Sequence, residues 1–168
     1  ILLDRITPIS HDHNVKSIPR DSIYNMNYLE DVEVMETDEL NAYKTFDFIE
    51  KSITKSKYIK AILPFSYNDF NESLNKLASK DRKISLISPV SIKEILVRSL
   101  RTSNNNLEID YIDFDEDDYL FLFCSDKRMI VGFFKCDGSY DKNRLLTSSN
   151  GKCIKWANEL FDNFKKEK

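Results

Sequence analysis

The chain has 168 residues, a formal charge of −3, three glycines and two histidines. Its first glycine is Gly132, so it has no early Gly-rich loop to cradle a dinucleotide or a nucleotide phosphate, and His11 and His13 cannot alone furnish a catalytic zinc site. Both halves are slightly acidic, which argues against nucleic-acid or anionic-membrane binding by this chain itself.

Residues 1–18 hold Pro8, His11 and His13, show no sustained period, and read as a connector. The remainder, 19–168, reads as one α/β domain. Because the chain opens on Ile1 and not Met, a preceding N-terminal domain is expected. Pro19 suits the first turn of a short helix running to Leu29. Glu30 to Glu36 alternates and reads as a strand. Thr37 is the expected N-cap of a helix carrying Leu40, Tyr43, Phe46, Ile49 and Ile53 on its apolar face.

Lys57 to Leu63 reads as a strand stopped by Pro64, and Asn68 or Asp69 as the cap of a helix with Phe70, Leu74, Leu77 and Ala78 inward. Lys83 to Ile87 is the next strand. Ser88-Pro89, a cap followed by proline in the first helical position, predicts a helix facing Ile92, Ile95, Leu96 and Leu100 to the core.

Leu107 to Ile112, Tyr119 to Cys124 and Arg128 to Lys135 are strand-like, the last two joined by the short turn Ser125-Asp126-Lys127. Tyr119 to Phe123 is apolar on both faces, as a strand covered on both sides would be. A closing helix begins near Gly151, with Cys153, Ala157, Leu160 and Phe164 on one side. The expected fold is therefore α/β: a layered mixed sheet of three strand–helix units, then an antiparallel meander and a C-terminal helix.

Few residues offer chemistry. Asp113, Asp115 and Asp117 start like a calcium loop, but its sixth and twelfth positions are Asp118 and Cys124 where Gly and Glu are required. A metal-dependent nuclease or phosphoesterase using Asp113 to Asp118 is the enzymatic alternative; a solvated turn is the commoner use of such a run. His11-Asp12-His13 supplies two imidazoles and no third ligand, and a solvated segment is expected. Cys124, Cys136 and Cys153 form no C-x-x-C and read as core packing in a reducing interior. Lys51, Lys55, Lys57 and Lys60 read as a solvated helix face in preference to phosphate contacts. No apolar run approaches the ~18 residues of a membrane span.

Ligands of open α/β sheets bind beyond the carboxyl ends of parallel strands. That places a pocket at Phe65, Ser66, Tyr67 and Ser88, joined by Ser125 with Asp126 as a polar contact. Tyr140 and Trp156 are expected to be structural. The competing use of Ser66 and Ser88 is simple helix capping. No catalytic residue, metal ligand or cofactor is expected.

Cys136-Asp137-Gly138-Ser139-Tyr140-Asp141, Leu145 to Ser149 and Trp156-Ala157-Asn158-Glu159-Leu160-Phe161 form a recognisable string. With Ile18-Pro19 and Ile62-Leu63-Pro64-Phe65, it resembles the middle domain of archaeal winged-helix transcriptional regulators, the domain named for methanogenesis regulation in methanogens. The resemblance implies a cytoplasmic, effector-sensing, homodimer-forming module without chemistry of its own. It implies contact with DNA only through a preceding winged-helix domain, and no membrane. Where that family commonly has a glycine before the third strand, this chain has Lys80-Asp81. The strand–helix order also looks like the phospholipase D-like fold of some archaeal sugar-sensing regulators. Its catalytic His-x-Lys with a later Asp is absent, since His13 follows His11 at that spacing and Val15 follows His13.

Overall fold

A computed structural model describes residues 11–25 and 29–166. The first ten residues of the expected connector, and residues 26–28 of the expected first helix, lie outside the described residues. Helix α1 spans Arg20–Tyr24. Strand–helix units follow: β1 (Glu33–Glu36), α2 (Lys44–Thr54), β2 (Tyr58–Ile62), α3 (Asn68–Ala78), β3 (Lys83–Pro89) and α4 (Lys93–Ser99). Then come β4 (Leu107–Ile112), β5 (Leu120–Ser125), β6 (Met129–Phe133), β7 (Arg144–Ser148) and α5 (Gly151–Lys166).

The strands form one mixed sheet in the order β1-β7-β6-β5-β2-β3-β4. Strands β2, β3 and β4 run parallel; every other neighbouring pair is antiparallel. Side chains alternate between two apolar layers. One face packs Ile62, Leu122, Val131 and Leu146 against Trp156, Leu160 and Phe164 of α5. The other packs Ile59, Leu86, Phe121 and Ile130 against Ile49, Phe70, Leu74 and Leu96 of α2, α3 and α4. The two-sided burial of β5 is thus the α/β layering read from its unbroken apolar run.

Four local readings are corrected. The first concerns the meander, which is β5-β6-β7; β4 instead lies parallel to β3 at the sheet edge, with Ser88 opposite Tyr111. Strand β7 had been read only as part of a motif, and its pairing with both β6 and β1 makes it a strand. Second, α2 starts at Lys44, leaving Leu40 99% and Tyr43 68% exposed. Asp38 accepts the N–H groups of Leu40 and Asn41, a turn that competes with helix, and Thr37 donates its hydroxyl to Asn143 in place of capping.

Third, Ser88-Pro89 continues β3, because pairing with β4 runs on to Pro89 and Ile112. A 3₁₀ turn, Val90–Ile92, then leads into α4, whose Leu96 is buried while Ile95 is 54% exposed. Fourth, Cys136 lies exposed in the β6–β7 connection, whereas Cys124 and Cys153 are buried. The Lys80-Asp81 turn holds Asp81 at φ 59, the left-handed region that glycine enters at little cost.

A carboxyl-edge cluster as the candidate site

Strands β2, β3 and β4 end on one side of the sheet, and three polar groups are buried there without partners. Ser88 is fully buried on β3, and its Oγ has no hydrogen-bond partner among the described residues. The same is true of the Tyr111 hydroxyl, on the residue directly across in β4, and of Asn71 Oδ1 on α3. Ser88 and Tyr111 share the face of Leu86 and Ile109, so both look toward the helices α3 and α4. Leaving a buried acceptor or donor unmatched costs about 1–3 kcal/mol for each such group.

The Phe65-Ser66-Tyr67 segment borders this cluster. Asn71 Nδ2 donates to Ser66 Oγ at 2.9 Å, so Ser66 is tied to α3 by a side chain and caps nothing. Phe65 and Tyr67 sit in an aromatic wall: Tyr67 meets Phe46 edge-on at 4.7 Å, and Phe65 lies 4.7 Å from Tyr140 and stacks on Phe121 at 6.0 Å. Burial raises the Tyr67 pKa, with the Asp69 carboxylate adding to it, and burial also raises that of Tyr111. Both phenols are therefore neutral hydrogen-bonding groups at neutral pH. Lys93 reaches over the Tyr111 ring at 5.3 Å.

Ser125 and Asp126 are elsewhere. Ser125 pairs with Ile59 at the start of β2, and Leu122 with Ile62 at its end. At ~3.3 Å per residue the hairpin tip therefore lies more than about 10 Å from the carboxyl edge. There Ser125 Oγ accepts the N–H groups of Lys127 and Arg128, and Asp126 accepts the N–H of Lys57 at 2.8 Å. The structure thus brings Phe65, Ser66, Tyr67 and Ser88 to one end, and Ser125 with Asp126 to the other.

Sequence reasoning missed Asn71, Tyr111 and the partner of His13. A signal for Asn71 existed: it falls on the buried stripe of α3 with Leu74 and Ala78, a polar residue at a core position. His13 is not solvated as expected. It is buried, and its Nε2 lies 2.7 Å from Asp141 Oδ2 of the Asp-Gly-Ser-Tyr-Asp string. That pair, with Asn14 N–H donating to the Phe134 carbonyl and Cys136 N–H to that of Asp12, ties residues 12–14 to the β6–β7 loop. His11 stays exposed, so the two imidazoles do not converge.

The acidic run is a capped turn. Asp118 accepts the Asp115 N–H at 2.6 Å, and Asp117 contacts Asn14 and Lys16 of the connector. Among the described residues no three His, Cys, Asp or Glu side chains converge as a metal set. Burial pushes the Cys124 thiol up to about 12, so it is no nucleophile. Trp156 is buried and donates from Nε1 to the Ser22 carbonyl at 2.8 Å. No described helix is long and apolar enough to cross a membrane.

Comparison with solved structures places this fold. TrmBL2, an archaeal chromatin protein described as binding DNA in a novel mode, superposes with a TM-score of 0.62 at 11% identity. The match covers 99% of this chain and 58% of that one, so the chain spans little more than half of that neighbour. The phospholipase D family member Nuc from Salmonella typhimurium gives 0.59 at 12% identity over 80% of this chain and 91% of its own. A polyphosphate kinase from Porphyromonas gingivalis gives 0.57 at 10% identity, over 83% of this chain and 27% of its own. At such identities the likeness is one of fold. No curated protein sequence matches. The profile of the middle domain of the methanogenesis regulatory protein FilR1 matches residues 42–167, three quarters of the chain and all strands and helices from α2 onward, and the chain belongs to that regulatory family.

Proposed function

We propose that residues 19–168 form the effector-sensing and dimer-forming domain of a cytoplasmic transcription regulator, non-catalytic and without a cofactor. In this reading a small polar effector sits at the carboxyl edge against Phe65, Ser66, Tyr67 and Ser88. The observation that carries it is the trio of buried, unpartnered groups on Ser88, Tyr111 and Asn71. Hydroxyl and amide groups among aromatic walls suit a neutral, hydroxylated ligand.

Contiguous packing supports a route outward. Phe65 touches Tyr140, and the next residue, Asp141, holds His13 of the connector. An effector that reorders Phe65 biases the connector, and through it the spacing of paired DNA-binding domains attached upstream. DNA is contacted only through the N-terminal domain.

Thermal-shift screening of a panel of sugars, polyols and other small metabolites tests the reading. A hit should raise the melting temperature and lose that effect in Ser88→Ala and Asn71→Ala. A folded chain that no member stabilises, or a hit indifferent to both substitutions, overturns it.

A further inference from the structure

We infer that the cleft between the last turns of α2 and the β5–β6 hairpin binds the phosphate group of a small phosphorylated ligand. It lies at the end of the sheet opposite the effector seat and rests on different residues. The cleft has a volume of about 200 Å³, and Lys51, Lys55, Lys127 and Arg128 line it beside Ser52 and Ser125. Among the described residues none of these four cations forms an ion pair, whereas Lys16, Lys44, Lys60, Arg144, Lys155 and Lys165 each do. The α2 C-terminus accounts for little of this. Its partial charge of roughly −0.5 offsets about half of one lysine.

Arg128 is pre-set for the task. Its guanidinium lies 4.9 Å from the Phe48 ring, and Nη1 donates to Thr147 Oγ1 at 3.2 Å, so little rotamer freedom is left to lose. Its planar fork of donors matches phosphate oxygens, and three lysines add charge around it. The turn beneath is rigid because Ser125 Oγ accepts two backbone N–H groups. Asp126 in that turn is engaged with the Lys57 N–H.

The size of the cationic patch selects a small ligand over a nucleic acid. On the far side of Arg128 the neighbouring cleft is lined by Asp31 and Glu33. That acidic flank interrupts the run of contacts a phosphate backbone requires. One phosphoryl group fits; a duplex track does not.

Melts of the 168-residue chain in sodium phosphate, against sodium chloride at matched ionic strength, give the test. Inorganic phosphate should raise the melting temperature saturably, by roughly 3–6 °C at about ten times its Kd. The rise should vanish in the Lys55→Gln, Lys127→Gln double variant, whose altered side chains are exposed and bear on folding little. It should survive in Lys142→Gln, at the other end of the sheet, and in Ser88→Ala, which separates this site from the effector seat. Equal melting in phosphate and chloride, or an equal rise in the double variant, overturns the proposal. So does a labelled DNA duplex that binds through the same lysines while phosphate has no effect.

Discussion

Gly132 and Tyr140 form a lock whose cost can be measured. Gly132 sits on β6 opposite Phe121, on the face of the helices α2 to α4. A Cβ there would fall 2.9 Å from Tyr140 Cε2, nearer still to its hydroxyl, well inside the ~3.5–4.0 Å of ordinary carbon contact. The ring cannot retreat freely, because Phe65 lies 4.7 Å away, Phe134 5.3 Å and Phe46 6.2 Å. Overpacking of this kind costs about 1–3 kcal/mol, and alanine's lower unfolded-state entropy returns up to ~1 kcal/mol. Gly132→Ala should therefore lose up to about 3 kcal/mol, a fall of as much as roughly 6–12 °C in Tm.

Tyr140→Ala alone should cost on the order of 3–5 kcal/mol, as large aromatic truncations do. In that background Gly132→Ala should become neutral or stabilising, since the clash has gone. The double-mutant cycle should thus show a coupling of about 1–3 kcal/mol. Urea unfolding followed by the fluorescence of Trp156, the chain's sole tryptophan, reads all four proteins. Equal costs for Gly132→Ala in both backgrounds would show that Tyr140 does not set the glycine, and refute the reasoning.

Other perturbations have definite expected outcomes. Asp81→Gly should raise stability by about 0.5–1 kcal/mol in thermal melts, by relieving the left-handed turn at φ 59; a loss would mean that the Asn106 contact to the Asp81 carboxylate outweighs the backbone strain. Cys124 keeps its proton in the fold up to about 12 against an ordinary value of 9.0, so the unfolded chain binds fewer protons between those limits. Stability from this group is whole below pH 9 and falls above it; Cys124→Ala should flatten that alkaline slope in urea titrations. His13→Ala should expose residues 11–18 to protease, and a variant that remains as protected as the parent would mean that the Asp141 contact does not hold this segment. Trp156→Phe should cost about 1–2 kcal/mol by orphaning the buried Ser22 carbonyl, read by circular dichroism.

Local periodicity made most of the layering legible. The apolar spacing of Ile49 and Ile53, of Leu74 and Ala78, and of Cys153, Ala157 and Leu160 each placed a helix on a sheet face. The unbroken run Leu120 to Cys124 announced a strand buried on both sides. The first glycine at Gly132 and the lack of a His-x-Lys motif were likewise legible in the sequence. Of the six expected site residues, Phe65, Ser66, Tyr67 and Ser88 were grouped by a rule about strand ends, and the parallel pairing of β2 with β3 sets the ends of those strands side by side.

What remained lay in pairing. Nothing within Leu107–Ile112 says whether that strand joins a meander or an edge, because hydrogen bonds to a partner strand far along the chain decide it. The same register puts Ser88 opposite Tyr111, and turns a presumed cap into a buried hydroxyl without a partner. The antiparallel alignment of β5 with β2 carries Ser125 away from Phe65 and toward Lys51, joining lysines that had looked like a solvated face to Arg128. Only the fold brings Asp141 to His13, 128 residues apart. The sequence by itself determined which stretches were apolar, where their periods changed, and which catalytic parts were missing, since these depend on neighbours along the chain. Strand order, register and the convergence of charges depend on contacts between distant segments, and those the tertiary structure alone decided.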